Sequence, residues 1–173
     1  MKINKIFFCI LVFFLIEINI KADNTYFIDF NKVLNQSTAG AEAQEKLKKK
    51  LLDENKKFEN EEENLRKEEK ELISQKKILS NEEYKKKVDS LRKKFSDLQN
   101  KKQKSLTDLA NARSNARKKL IDALNPIMKN YMDENKIRLI IDKKNVILGD
   151  TALEITDKII ELLNQKLKSI NFN

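Results

Sequence analysis

The strongest constraint on this chain is an apolar residue that recurs every seven positions in a segment without Gly or Pro. The series comprises Leu51, Phe58, Leu65, Leu72 and Leu79. A second series follows in alternating steps of four and three, at Tyr84, Val88, Leu91, Phe95 and Leu98. Both spacings place apolar side chains along one face of an α-helix, as in coiled coils. The chain is therefore predicted to be mainly helical.

The two series are separated by a signal for the start of a helix. Residues 80–83 read Ser-Asn-Glu-Glu, the pattern of a capping box, in which Ser and a Glu three residues later cap a new helix. If the chain folds back here, facing residues have numbers that sum to 163, and Leu65 then faces Leu98. The sequence predicts an antiparallel helical hairpin, an arm of residues 41–125, whose first helix over residues 41–79 is about 58 Å long.

The residues outside the arm are predicted to form a small body that contains β-strands. A run of β-branched and aromatic residues at 25–30 predicts a first strand, and Pro126 is expected to kink or interrupt the second arm helix. Two further apolar runs, 137–141 and 145–148, predict a strand hairpin. A second capping-box pattern at 151–154 predicts the start of a final amphipathic helix.

Short polar residues mark two helix starts near the beginning of the body. Asp29 or Asn31 can cap a short helix over residues 31–36. Ser37 or Thr38 can cap the first arm helix in the same way.

The start of the chain has the form of a secretory signal peptide. Two lysines lie in the first five residues, an unbroken apolar run covers residues 6–16, and Ala22 offers a small residue at the cleavage position. The run is too short for a membrane span, which needs about 20 apolar residues, and an uncleaved anchor is the alternative. Removal of the signal peptide, residues 1–22, leaves a body predicted from residues 23–40 and 126–173.

The composition argues against catalysis and against bound cofactors. The chain has no His, one Cys and two glycines that lie far apart. It therefore lacks the commonest general base, an internal disulfide, a thiolate metal site and a glycine-rich phosphate loop. Neighbouring glutamates, such as residues 61–63, lie on a helix that is predicted to be exposed, without a pocket to shift their pKa values. The protein is predicted to be no enzyme and to bind neither a metal nor a cofactor.

The excess positive charge is concentrated on the second arm helix. Residues 80–125 hold 13 basic and 6 acidic side chains, whereas residues 41–79 hold 11 of each. The apolar residues of the two series form the seam between the helices. Beside this seam, lysines seven residues apart predict a basic stripe, which consists of Lys87, Lys94 and Lys101 with the adjacent Lys86 and Lys93. The stripe is either a surface that attracts acidic partners or a solvated face that keeps the arm soluble.

Several segments, taken in order, resemble Skp/OmpH-type periplasmic chaperones. The family's opening strand, helix and turn are resembled by residues 26–40, and its arm tip by residues 79–84. Its C-terminal body is resembled by residues 125–126, 137–142 and 154–157. The resemblance covers essentially all of the chain after the signal peptide. The sequence departs from the family pattern at Thr38, where Pro is common, and at Glu154, where Asp usually caps the last helix.

The resemblance implies an ATP-independent holding chaperone that encloses unfolded outer-membrane proteins, its clients, in the periplasm. The implied fold is mainly α, with a long antiparallel helical hairpin arm on a trimeric β-rich core. Candidate client-binding residues are the basic stripe and three seam residues: Lys86, Lys87, Lys93, Lys94, Lys101, Phe58, Tyr84 and Phe95. Candidate trimer-interface residues come from the predicted strands: Tyr26, Ile28, Phe30, Leu139, Ile140, Ile141, Val146 and Leu148. Anionic lipid or lipopolysaccharide is a further candidate partner, and no nucleic acid is expected.

Two other functions fit parts of the pattern. The hairpin could be a structural spacer or adaptor in the cell envelope, which would need a partner-binding tip, yet residues 78–84 offer only a small apolar patch. A basic helix could also bind nucleic acid, but the stripe lacks interleaved aromatic residues and the chain has few arginines. The holding chaperone is the function that the sequence favours.

Overall fold

The computed structural model describes residues 25–171, and the predicted signal peptide, residues 1–22, lies outside them. The main elements are β1 (Tyr26–Ile28), α1 (Phe30–Gln36), α2 (Thr38–Ser74), α3 (Asn81–Asn135), β2 (Ile140–Asp142) and α4 (Thr156–Lys166). Three short 3-10 helices lie at Gln75–Lys77, Lys143–Asn145 and Thr151–Leu153. The long helical hairpin and the small pair of strands confirm the predicted fold class of the single chain.

Helices α2 and α3 form the predicted antiparallel arm, and the predicted capping box lies at its tip. The Ser80 hydroxyl accepts the Glu83 N–H, and the Glu83 carboxylate accepts the Ser80 N–H at 3.2 Å. Helix α2 ends at Ser74, before its predicted end at Leu79, and Gln75–Lys77 continue as a tighter 3-10 turn. The 37 residues of α2 give the arm a length of about 55 Å.

The register of the arm is confirmed by ion pairs between its two helices. Lys94 pairs with Glu68, so that the residue numbers sum to 162, and Lys102 pairs with Glu62, with a sum of 164. Both sums agree with the predicted 163 within one residue. The four buried residues of the upper-arm cluster come from the two heptad series: Leu65, Leu72, Leu91 and Leu98.

We expect cysteines at Leu65 and Leu98 to form a disulfide within one chain. The register places these positions opposite each other, and a disulfide requires α-carbons within about 7 Å. The control is Leu65→Cys with Leu91→Cys, which is displaced by one heptad. Electrophoresis without reductant measures the cross-linked fraction after oxidation. A higher yield for the displaced pair would contradict the register.

Pro126 lies inside α3 and does not end it, because the helix continues to Asn135. A proline removes one backbone hydrogen bond from a helix interior. Leu124 and Ile127, on either side of it, are buried in the body core, and this packing holds both turns in place. Of the two predicted effects of Pro126, a kink or an interruption, the interruption is wrong, and the predicted helical continuation to Asn135 is confirmed.

The two strands of the body pair in parallel, with Tyr26 of β1 opposite Ile140 of β2. The predicted strand hairpin of residues 137–141 and 145–148 is therefore wrong. The carboxylate of Asp142 caps the 3-10 helix that follows β2, and this turn leads the chain away from a returning strand.

The last helix begins later than the sequence predicts. Helix α4 starts at Thr156, and the segment around Thr151 is a separate 3-10 helix that is capped by Asp150. The Glu154 carboxylate binds Lys143 and the Thr156 hydroxyl instead of reaching back to the Thr151 amide. The predicted capping box at this place is therefore wrong.

Two of the predicted caps at the start of the body are confirmed. Asp29 accepts the Lys32 N–H at 2.8 Å and caps α1. Because α1 already begins at Phe30, strand β1 is shorter than predicted. The Ser37 hydroxyl accepts the Gly40 N–H at 3.2 Å and caps α2.

The body core is one apolar cluster that α1 and α4 form with the lower ends of α2 and α3. Its fully buried side chains include Val33, Leu124, Ile159 and Leu163. The body thus holds the arm at its base through residues of both arm helices. Within residues 25–171, no helix is both long and apolar enough to cross a lipid bilayer.

Candidate functional site

Three lysines of the predicted basic stripe bridge the two arm helices. Each side chain crosses from α3 to an acceptor on α2 or on the 3-10 turn that follows it, and the acceptors are themselves seven residues apart. The contacts are Lys94–Glu68 and Lys101–Glu61, each 2.6 Å, and Lys87–Gln75, 3.1 Å. We call this set the ladder. Because two of its rungs pair a lysine with a glutamate, the excess charge of α3 is partly neutralised.

The other two stripe lysines lie outside the ladder. Lys86 pairs with Glu82 of the same helix at 3.3 Å, and Lys93 is exposed. A cavity of about 220 Å³ lies beside the ladder, between Lys87, Lys94 and the leucines of the seam. The structure therefore brings Lys87, Lys94 and Lys101 together as cross-arm contacts, and not Lys86 or Lys93.

A further cross-arm ion pair lies on the other flank of the seam. Lys102 donates to Glu62 at 2.7 Å, and Arg66 donates to the same carboxylate at 2.9 Å. The hydrogen bond from Lys102, followed by that from Arg66, lowers the pKa of Glu62 below its usual range. Sequence reasoning missed these acidic partners, although the predicted sum of 163 already places glutamates of α2 beside lysines of α3.

The three predicted apolar client residues belong to the interior of the arm. Phe58, Tyr84 and Phe95 are half-buried and pack against the upper-arm cluster. A client can therefore reach them only where the two helices separate or leave a gap. The exposed apolar residues of the tip are others, namely Ile73 and Ile78.

The predicted trimer-interface residues divide into buried, half-buried and exposed groups. Ile28 is 2% exposed within the single chain, so it has almost no surface to offer a neighbouring subunit. The half-buried residues are Tyr26, Phe30, Ile140, Ile141 and Val146. Leu139 and Leu148 are exposed, and Ile147, which lies between Val146 and Leu148, is fully exposed. Among residues 25–171, these three are the large apolar residues of the body that are exposed to solvent.

A polar junction joins the start of the body to its end. The Thr156 hydroxyl is buried, accepts the Asp29 N–H at 2.9 Å and donates to Glu154 at 2.9 Å. Lys143 donates to the same Glu154 carboxylate at 2.8 Å. The hydrogen bond from Lys143, followed by that from Thr156, lowers the pKa of Glu154. A contact with Asp157 at 2.7 Å raises the pKa of Lys32.

We expect the free energy of unfolding to be nearly constant between about pH 6 and 8, because the chain has no His. Carboxyl groups with a lowered pKa, such as Glu154 and Glu62, stabilise the fold above their unfolded pKa of about 4.3, and this stability is lost as the pH falls through the folded values. Lysines with a raised pKa, such as Lys32, stabilise it below about pH 10.4. Urea unfolding at a series of pH values measures the free energy of unfolding.

The control for this pH dependence is Glu154→Gln, in which part of the acid-induced loss should already be present at neutral pH. A fall in stability between pH 6 and 8 in the unchanged protein would contradict the expectation.

Among residues 25–171 there is no cluster of three or more acidic or Cys side chains that could hold a metal ion.

Comparison with known proteins places the chain in a family. The sequence profile of the family described as "Outer membrane protein (OmpH-like)" matches residues 24–163. A solved structure, described as a candidate OmpH-like outer membrane chaperone from Caulobacter crescentus CB15, shares the fold, with a TM-score of 0.81 at 20% identity. The alignment covers 86% of this chain and 88% of that one. No curated protein matches. The fold and the extent of the profile match show that this chain belongs to the OmpH-like outer membrane protein family.

Proposed function

We propose that the protein is an ATP-independent holding chaperone of the periplasm, which keeps unfolded outer-membrane proteins soluble between the helical arms of a homotrimer. The observation that carries this proposal is the sparse interior of the arm. Each heptad of α2 supplies one large apolar residue to the seam, and exposed ion pairs between the two helices supplement the apolar contact with α3. Such pairs each contribute at most about 1 kcal/mol, so the arm surface can adapt to clients of different size.

The exposed apolar surface of the body supports the trimer. Leu139, Ile147 and Leu148 lie beside a sheet in which β2 pairs only with β1, as far as residues 25–171 are concerned. An open strand edge next to exposed apolar residues favours association with a further strand or subunit. A second and third copy of the chain would cover both the edge and the apolar residues.

The holding activity is tested by diluting a urea-denatured outer-membrane β-barrel protein into buffer with the purified protein and no nucleotide. We expect light scattering to stay low when the chaperone is in molar excess as trimer, and to rise in its absence. Aggregation at the same rate with and without the protein would refute the proposed function.

Sedimentation of the purified protein tests the assembly. We expect a trimer, and we expect Leu148→Asp to dissociate it, because it places an unpaired charge in an apolar contact. The matched control is Ile78→Asp, an exposed apolar residue at the arm tip, which should leave the trimer intact. A monomeric unchanged protein would exclude the proposed assembly.

A further inference from the structure

The lower half of the arm is not filled by its own side chains. The body core ends at Ala43 of α2 and Ala116 of α3, and the upper-arm cluster begins at Leu65 and Leu98. Between these limits, no side chain of either helix is buried in the part of the chain that the structure describes. The two helices therefore run past each other over about five turns without a closed core.

The cause is a mismatch of side-chain size across the seam. In the register of the arm, Leu51 faces Ala112 and Phe58 faces Ser105, so a large residue meets a small one at each level. A void without partner atoms forfeits the dispersion contacts of the residues that line it. A cavity of about 460 Å³ lies at this level of the arm, and its apolar walls are Leu47, Leu51, Leu106 and Leu109.

This cavity continues in both directions along one face of the arm. Towards the body, it shares Leu47 and Arg113 with a small cavity of about 80 Å³. Towards the tip, it shares Leu106 with a cavity of about 230 Å³ that Phe58 lines. We call the three together the groove. From Gln44 to Phe58 it follows α2 for about 21 Å, the length of about six residues of extended chain.

The charge around the groove is mainly positive. The central cavity is lined by Lys48 and Arg113 and by no carboxylate. Neither cation has an ion pair within residues 25–171, in contrast to the lysines of the ladder. Glu59 lies at the upper end, where Lys102 is already bound to Glu62. An apolar segment that carries acidic side chains at its edges complements such a surface.

We infer that the groove is the site at which the arm binds an extended apolar segment of an unfolded polypeptide with acidic residues beside it. This inference rests on the proposed function and moves the client contact from the ladder to the lower arm. Leucines of the groove bury alternate apolar side chains of the segment, and Lys48 and Arg113 attract its carboxylates. Of the client residues that the sequence predicted, Phe58 lies in this groove.

The first test replaces a groove residue that the fold does not need. Leu106 is 53% exposed, so Leu106→Gln should leave the stability of the arm nearly unchanged. The matched control is Leu52→Gln, because Leu52 is 58% exposed on the other helix and lines none of the three cavities. We expect Leu106→Gln to weaken binding of a fluorescent, urea-denatured β-barrel protein about fivefold, and the control to change it less than twofold.

The second test closes the groove from within. Ala110 lines the central cavity and is exposed, so Ala110→Phe fills the space without replacing a buried residue. We expect weaker client binding together with unchanged or higher thermal stability, a combination that a merely damaged arm would not show. Equal client binding by the unchanged protein, Leu106→Gln and Ala110→Phe would overturn the inference that the groove binds clients, although the holding activity itself would stand.

Anionic phospholipid is the alternative occupant of an apolar groove with a basic rim, and vesicles that contain it test this alternative. We expect Leu106→Gln to bind these vesicles as well as the unchanged protein does. If the variant loses vesicle binding and keeps client binding, the groove holds lipid and the inference is overturned. If the unchanged protein fails to keep any client soluble, the proposed function fails before the groove is in question.

Discussion

We expect Gly40→Ala, which adds a single methyl group, to destabilise the protein by about 3 kcal/mol or more. A Cβ at residue 40 would lie 1.8 Å from the carbonyl oxygen of Leu34 and 2.9 Å from its carbonyl carbon. Backbone atoms cannot rotate aside, so α1 and α2 would have to separate where the buried Ser37 caps α2. Urea unfolding followed by circular dichroism measures the loss.

The chain contains a matched control for this substitution, because it has one other glycine. A Cβ at Gly149 would lie 3.1 Å from a ring carbon of Phe27 and 3.3 Å from a methyl carbon of Val146, and both are side-chain atoms. Small rotations can relieve these contacts, so we expect Gly149→Ala to cost less than about 1 kcal/mol. A loss of stability for Gly40→Ala as small as that for Gly149→Ala would show that the close approach at Gly40 is not tight.

The second large effect is expected at the centre of the upper arm. Leu98 is 1% exposed and contacts the other leucines of the upper-arm cluster. Leu98→Ala should therefore cost about 2–5 kcal/mol, from lost burial and the cavity left behind. Because the contacts of a hairpin are local, we expect the loss as faster amide hydrogen exchange in the upper arm, with little change in the body.

Leu106→Ala is the control for this substitution. It removes the same group from the same helix, but from a side chain that is 53% exposed in the groove. We expect a cost below about 1 kcal/mol, since little apolar surface is returned to water. A similar cost at both positions would mean that the lower arm is as well packed as the upper arm, and that would also contradict the groove.

The hairpin and its register could be read from the sequence because their signals are local and periodic. The heptad series between Leu51 and Leu98 defines one apolar face, and the Ser80 capping box defines where the chain reverses. Those two facts leave a single way to align the helices, and the ion pairs of the arm agree with it. The caps at Asp29 and Ser37 follow from side chains that bind amides three residues away.

The body could not be read in the same way, because its contacts join distant parts of the chain. Strand β1 pairs with β2 more than one hundred residues later, and the Asp29 amide binds the hydroxyl of Thr156. No local pattern specifies such pairs, so the apolar run near Val146 gave a false strand. Ile28 also becomes buried within its own subunit only when β1 packs against segments that are distant in the sequence.

The candidate site shows the same division between local signals and tertiary structure. The sequence by itself determined which residues lie along the seam and that α3 carries the excess lysines. Only the tertiary structure decided that Lys94 and Lys101 are bound to glutamates, and that the gap lies between Leu51 and Leu106. The physical reason is that a periodic pattern fixes the direction of a side chain, whereas its pairing and packing depend on the size and charge of the residue it meets on another helix.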